Sequence, residues 1–341
     1  MDTTDFGNET INLGHGSGGL MTRELLDQVI FKKLGNQYLD KKHDGAVIKV
    51  EGDLAISTDS FVISPVFFKG GNIGELAVNG TVNDVAMCGA NAEFLSLAFI
   101  VEEGLEMSEF IKIVDSIRTT AERCGVKIVT GDTKVVERGK GDKIFINTTG
   151  FGRVHPKADI STRNIKSGDK IILSGEIAQH GMAIMSQREG LQFESTIISD
   201  TTNLNFLVTA LLDEFGNSIH LLRDPTRGGV AAVLSEIATD TNLGIVIDEN
   251  KIPVDDQVAA ACEILGLDPL YVANEGLFIA IVDAEVEREL TALMKRHEKG
   301  RKAVCIGEIT GEHPNKVVMK SSIGGKRMVT PLIGEQLPRI C

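Results

Sequence analysis

Apolar and polar positions divide this chain into two stretches of different rhythm. After a glycine-rich opening, Gly14-His15-Gly16-Ser17-Gly18-Gly19, the spacing predicts a helix over 20–34. β-Branched residues alternating on one face predict a hairpin of strands 46–50 and 54–63, turning at Gly52-Asp53. Residues 74–89 read as a helix with only two charges, Glu75 near its start and Asp84 deep inside, so burial on nearly every side is predicted. Asn79 and Asn83 share one of its faces with Asp84 alongside, a polar stripe that needs partners. A strand over 94–101, an amphipathic helix over 108–124 stopped by Gly125, and strands over 126–130 and 143–154 complete the first half.

A charged, turn-rich segment, 155–169, reads as a linker. Beyond it, helices over 178–188, 203–215, 229–241, 255–265 and 285–297 interleave with strands over 170–173, 219–222, 244–247, 277–282 and 303–308, which predicts α/β layering. The end of the chain lacks apolar periodicity. Gly324, Gly325 and Gly334 offer hinges, and Pro331 and Pro338 resist regular structure. An extended tail from Pro331 spans roughly 35 Å, at about 3.3 Å per residue. It ends in Cys341, a thiol beside the terminal carboxylate, which is either idle or a carrier. The predicted units are a flexible glycine-rich arm with the first helix (1–42), an N-terminal domain (43–155), a C-terminal α/β domain (156–322) and a mobile tail (323–341).

Composition narrows the partners. At 341 residues two domains are expected, and a formal charge of −13 argues against nucleic-acid or anionic-membrane surfaces. No apolar run approaches the length of a membrane span, and five scattered cysteines without a CxxC or CxxH pair support neither a zinc site nor a thioredoxin-type motif. Both features point to a reducing cytoplasm. There are 36 glycines against no tryptophan and two tyrosines, so the backbone is expected to approach something closely at many places.

Four acidic motifs share one local grammar, in which a β-rich run ends and an acid sits among small residues: Ser57-Thr58-Asp59-Ser60, Gly131-Asp132-Thr133-Lys134, Arg223-Asp224-Pro225-Thr226-Arg227-Gly228-Gly229 and Asn274-Glu275-Gly276. With Asp84, five carboxylates are candidates for one region. Clustered carboxylates repel unless a cation intervenes, and Mg²⁺ takes such oxygens together with substrate phosphates. Taken singly, each motif is equally a turn or helix cap. Asp84 is the strongest, because it lacks a helix-spaced basic partner. The run GHGSGG matches neither the P-loop nor the dinucleotide fingerprint, yet its amides can wrap phosphates, and Arg223 and Arg227 suit a nucleotide's charge.

In this order GHGSGG, STDSFV, NGTVNDVAMCGA, GDTKVV, RDPTRGG, NEG and the terminal PRIC strongly resemble the HypE carbamoyl dehydratases of hydrogenase maturation, within the PurM-like ATP-binding superfamily. The resemblance spans nearly the whole chain. It implies a two-domain α/β (α+β) PurM-like fold, with 43–155 as an ATP-binding half that dimerises into a shared β-barrel. It implies that HypF carbamoylates Cys341, that ATP drives dehydration of the resulting thiocarboxamide to a thiocyanate, and that the cyano group passes to iron on the HypC–HypD complex. By the same resemblance, Asp59, Asp84, Asp132 and Asp224 are the metal and phosphate candidates. His15, Gly16, Ser17, Gly18, Asn79, Asn83, Thr133, Arg223 and Arg227 are the nucleotide candidates. Lys134 and Glu275 fall at the carbamoyl end as electrostatic stabiliser and proton acceptor. Cys88 departs from the larger apolar residue expected there, and a small core residue is the expectation. Selenophosphate synthetase, thiamine-monophosphate kinase and aminoimidazole ribonucleotide synthetase share the fold, but none requires a terminal thiol. A non-catalytic scaffold would not need a complete acidic set.

Overall fold

The computed structural model describes residues 9–42, 45–188, 197–331, 337 and 339–341. Gly334 and Pro338, read from sequence as hinge and breaker, lie outside them.

The first half is built on a four-stranded sheet of β1 (Leu54–Phe61), β4 (Ala90–Glu102), β5 (Lys127–Val136) and β6 (Ile144–Val154), in the order β1-β6-β4-β5. The pairs are antiparallel except β4 with β5. Short strands β2 (Phe67–Phe68) and β3 (Gly71–Asn72) form a separate pair. Helices α1 (Leu20–Leu25) and α2 (Lys32–Leu34) flank a π-helical turn, so the helix expected over 20–34 is present but locally widened. The strand expected over 46–50 does not form, and β1 pairs with β6 instead of closing a local hairpin. Long-range pairing along eight residues of β6 outcompetes the two-residue turn.

Helix α3 (Ile73–Met87) begins at Asn72, whose side chain accepts from the Gly74 and Glu75 amides. It is apolar on all sides because it packs against the sheet, α4 (Met107–Cys124) and the second half at once. Its last residues, Ala86 and Met87, belong to the same apolar cluster as Leu204, Leu207 and Phe278, so α3 joins the two halves.

The second half is a seven-stranded sheet in the order β13-β12-β9-β11-β7-β10-β8, comprising β7 (Lys170–Leu173), β8 (Ile219–Arg223), β9 (Gly244–Asp248), β10 (Ile279–Val282), β11 (Val304–Thr310), β12 (Val317–Lys320) and β13 (Lys326–Val329). Helices α5 (Gln179–Arg188), α6 (Asn205–Phe215), α7 (Gly229–Thr241), α8 (Asp256–Leu265) and α9 (Glu287–Arg296) alternate with these strands as expected. The hairpin β12–β13 was not expected. Gly324, with φ +87°, and Gly325 form its turn, so the tail begins only after Val329.

The end of the tail is docked, in contrast to the expected mobile segment. Ile340 is 2% exposed and Leu337 is buried, each side chain contributing about 2 kcal/mol through burial. Apolar side chains at two tail positions supply the anchor that the lack of periodicity concealed.

Candidate active site

Four of the predicted acids converge where α3 meets β1 and the loops of the second half. Asp59 lies within β1 and Asp84 in the last turns of α3, where the Ser57 hydroxyl donates to Asp84 Oδ2 over 2.9 Å. Asp224 sits in the loop from β8 to α7, and Glu275 in the loop before β10. The expected grammar fails for Asp59 and Asp132, because β1 and β5 run through both motifs instead of ending before them.

Charge crowding dominates this region. Burial, and then Asp224 and Asp59, push the Asp84 carboxyl up to about 7, against the opposing Ser57 hydrogen bond. Burial raises Asp59 and Asp224 above the usual carboxylate range. Glu275, 5% exposed, is raised well above it by burial and by Asp200, Asp224, Asp59 and Asp84. Arg227 partly relieves Asp59, and Arg223 relieves Asp224 while donating to Glu236 over 2.8 Å. An all-oxygen donor set in mutual repulsion fits a hard divalent cation such as Mg²⁺.

The Glu275 loop is tightly framed. Asn274 accepts from the Ala178 amide (2.7 Å) and donates to the Pro225 carbonyl (2.8 Å), tying the NEG motif to the RDPTRGG motif. Asp200 accepts from the Glu275 and Gly276 amides, both at 3.1 Å, and burial pushes it up to about 6 despite these bonds. A Cβ on Gly276 would stand 1.7 Å from the Asp200 carbonyl oxygen, so only glycine fits. On the other side, a Cβ on Gly80 of α3 would meet the Phe61 ring at 2.9 Å, with the Glu275 carboxyl at 3.9 Å. Sequence reading missed Asp200. Its only signal was Ser199-Asp200-Thr201 after two isoleucines, the same composition as the motif around Asp59.

The tail enters the same neighbourhood of its own subunit. The Val62 amide, one residue past Phe61, donates to the Cys341 main-chain carboxylate oxygen over 3.1 Å, and the Ser64 amide donates to the Arg339 carbonyl over 3.4 Å. The Arg339 guanidinium donates to the Val62 carbonyl and pairs with Asp142.

Other predicted residues lie elsewhere. Asp132, Thr133 and Lys134 are on β5, at the opposite edge of the sheet from Asp59, three strand spacings or roughly 14 Å away. Lys134 pairs with Asp132 at 2.8 Å, and that ammonium first of all holds the aspartate below its usual range. One chain therefore does not unite Lys134 with Glu275. The glycine run is not the open arm expected. Residues Leu13–Gly16 form a 3₁₀ turn in which Asn12 caps Gly14 and His15 Nδ1 accepts from the Asn12 amide. His15 is thus buried in its own turn, while Gly16 abuts Val135 of β5 and Ser17 and Gly18 remain exposed. Asn79 and Asn83 are consumed structurally. Asn83 donates to the Thr202 carbonyl and accepts from Leu204, and Asn79 bonds Thr201 and Arg123, so both tie the first half to the 201–204 segment of the second. Cys88 is exposed at the end of α3, not in the core, because the helix stops there.

Comparison with known proteins agrees with this architecture. Residues 42–154 match the AIR synthase related protein N-terminal domain, and residues 166–320 its C-terminal domain. The chain is 47% identical to the carbamoyl dehydratase HypE of Bradyrhizobium diazoefficiens over 99% of this chain and 98% of that protein. A crystal structure of the hydrogenase maturation protein HypE in complex with ATP superposes with a TM-score of 0.93 at 44% identity, over 96% of this chain and 99% of that one. HypE from a HypE–HypF complex is 45% identical, with a TM-score of 0.80 over 90% and 99%. No helix among the described residues is long and apolar enough to cross a membrane. With its PurM-like halves and its acidic site in place, the chain belongs to the HypE family of carbamoyl dehydratases.

Proposed function

We propose that this protein uses ATP to dehydrate a carbamoyl group carried on its own Cys341, converting an S-carboxamide to a thiocyanate that becomes the cyanide ligand of the [NiFe]-hydrogenase iron. The observation that carries this reading is the docking of the terminal cysteine of the same subunit onto Val62, immediately after β1, the strand that carries Asp59.

The chemistry follows from the group to be removed. An amide oxygen leaves poorly, so the γ-phosphoryl of ATP moves to it, and loss of phosphate with both nitrogen protons leaves S–C≡N. Asp59, Asp84 and Asp224 are the residues to hold Mg²⁺, which would offset the charge of the phosphates. Glu275 takes protons from the nitrogen. Its raised pKa makes it a strong base once ionised, and neutralising the nearby aspartates removes the like-charge part of that rise. Lys134 stabilises the charge that develops on the transferred oxygen.

Since Lys134 lies across the sheet from Glu275, we assign it to the site of a second copy. Exposed apolar residues on β1 and β4, Ile56 and Ile100, support such a pairing of N-terminal sheets. HypF is the carbamoyl donor and the HypC–HypD complex the cyanide acceptor, in the cytoplasm. Incubation with HypF, carbamoyl phosphate and ATP, followed by mass spectrometry of the C-terminal peptide, tests the reading. A carbamoyl adduct on Cys341 that loses one water only when this protein and ATP act together is expected; absence of any adduct on that peptide overturns it.

A further inference from the structure

We infer that His180 is a positioning residue that reads the tail's main chain and sets where Cys341 rests. This inference deepens the self-dehydration reading and rests on it for its catalytic meaning, although the contact itself does not.

His180 is fully buried near the start of α5, with its ring edge-on to Phe68 at 5.6 Å. Nε2 lies 2.8 Å from the Ile340 carbonyl and Nδ1 lies 2.7 Å from Ser199 Oγ. A carbonyl can only accept, so Nε2 carries the proton. Burial depresses the imidazole pKa to about 4, so the ring is neutral and Nδ1 accepts from the Ser199 hydroxyl. That hydroxyl oxygen in turn accepts from the Thr201 amide over 3.1 Å. The polarity is consistent from end to end: Thr201 N–H to Ser199, Ser199 O–H to His180, His180 N–H to the tail.

The contact belongs to a complete reading of the last three main-chain oxygens. Arg339 is met by Ser64 and by Arg188 at the far end of α5, Ile340 by His180, and Cys341 by Val62. Both ends of α5 thus grip the tail. The 62–64 segment adds the tail in the manner of an extra strand, with donors two residues apart on one side and main-chain oxygens two apart on the other. Arg339 is held at φ +52°, a left-handed conformation that a non-glycine residue keeps only where its surroundings impose it. The relay from His180 also reaches the catalytic side. Ser199 and Thr201 flank Asp200, which holds the Glu275 loop, and Gly181, next to His180, donates to Ala273 over 3.0 Å. Tail position and base position are therefore set by one buried framework.

The test is competitive alkylation of the full-length protein with iodoacetamide, without ATP, read by mass spectrometry as the ratio of Cys341 to exposed Cys88 labelling. His180→Ala is expected to raise that ratio roughly fivefold, the worth of one buried hydrogen bond, and His180→Gln, which keeps an N–H donor, to restore it to within about twofold. Ile340→Ala, which alters only the tail, is expected to raise it about tenfold and shows that the ratio reports docking. An unchanged ratio in folded His180→Ala overturns the proposal. Labelling of buried Cys124 and Cys262 reports loss of fold. If His180→Ala loses its fold, Ser199→Ala decides instead, a roughly twofold rise supporting the relay and no rise overturning it. The two readings fail separately: a raised ratio in a protein whose wild type never dehydrates carbamoyl-Cys341 sinks the enzymatic reading alone, and an unchanged ratio with active wild type sinks the latch alone.

Discussion

Replacing Asp84 with asparagine tests the charge crowding of the acidic site directly. In the protein without ligand, burial and the neighbouring Asp224 and Asp59 push the Asp84 carboxyl from its ordinary 3.8 up to about 7, and each tenfold change in proton affinity is worth about 1.36 kcal/mol. The sign follows from an acid whose folded pKa is raised. Below pH 3.8 the group is neutral in both states and costs nothing; as pH rises toward 7 the unfolded chain ionises first, and folding is progressively penalised. Asp84→Asn removes that penalty while keeping an oxygen to accept from Ser57. The variant should therefore exceed wild type by about 1 kcal/mol near pH 4.5 and by about 4 kcal/mol near pH 8. Urea unfolding at both values, free of Mg²⁺ and ATP, measures the difference. Adding Mg²⁺ at the higher pH should recover most of the gap for wild type and little for the variant. A stability gap independent of pH, or a variant less stable than wild type at pH 8, would refute the claim that Asp84 sits in a repulsive, cation-seeking cluster.

Further outcomes follow from the same geometry. Glu275→Gln and Lys134→Ala should each leave the carbamoyl adduct on Cys341 intact while slowing its dehydration by about 10² or more, and unchanged cyanation would remove their roles. Mixing those two inactive variants should recover about a quarter of wild-type turnover if a site joins Lys134 of one copy to Glu275 of the other, since half of randomly paired dimers carry one intact site; no recovery on mixing counts against the shared site. Gly276→Ala, whose Cβ meets the Asp200 carbonyl at 1.7 Å, should cost about 3 kcal/mol or more in urea melts. His180 has a depressed folded pKa, so its contribution is complete above pH 6.5 and fades as pH falls toward about 4. The stability gap between wild type and His180→Gln should narrow across that window, and a constant gap would contradict the neutral ring.

The elements with strong local signals were legible in the residues, and those decided at long range were not. Helix α7 and strand β7 fall where periodicity places them, because their apolar spacing and glycine punctuation agree. The hairpin at Gly52 carried a good local turn but lost to pairing of β1 with β6, some ninety positions away. The burial of α3 was visible in its near absence of charge, yet the partners of Asn79 and Asn83 lie more than a hundred residues downstream, where no spacing rule reaches. Asp224 and Glu275 were individually ambiguous, Asp84 stood out as a buried acid without a helix-spaced basic partner, and only the fold puts the three within electrostatic reach of each other. Asp200 and His180 escaped notice because a lone acid in a polar run and a lone histidine between small residues have ordinary structural explanations.

The docked tail also changes what counts as substrate concentration. A reacting group fixed by hydrogen bonds from its own subunit to the last three main-chain oxygens is presented at a local concentration set by about eleven residues of chain, not by how much protein is in solution. Dehydration should then proceed at a rate per molecule that dilution does not alter, as long as any second copy the site needs stays bound. Saturation kinetics lose their usual meaning here, and the competition that matters is between the pocket and the partner proteins for possession of the same few terminal residues.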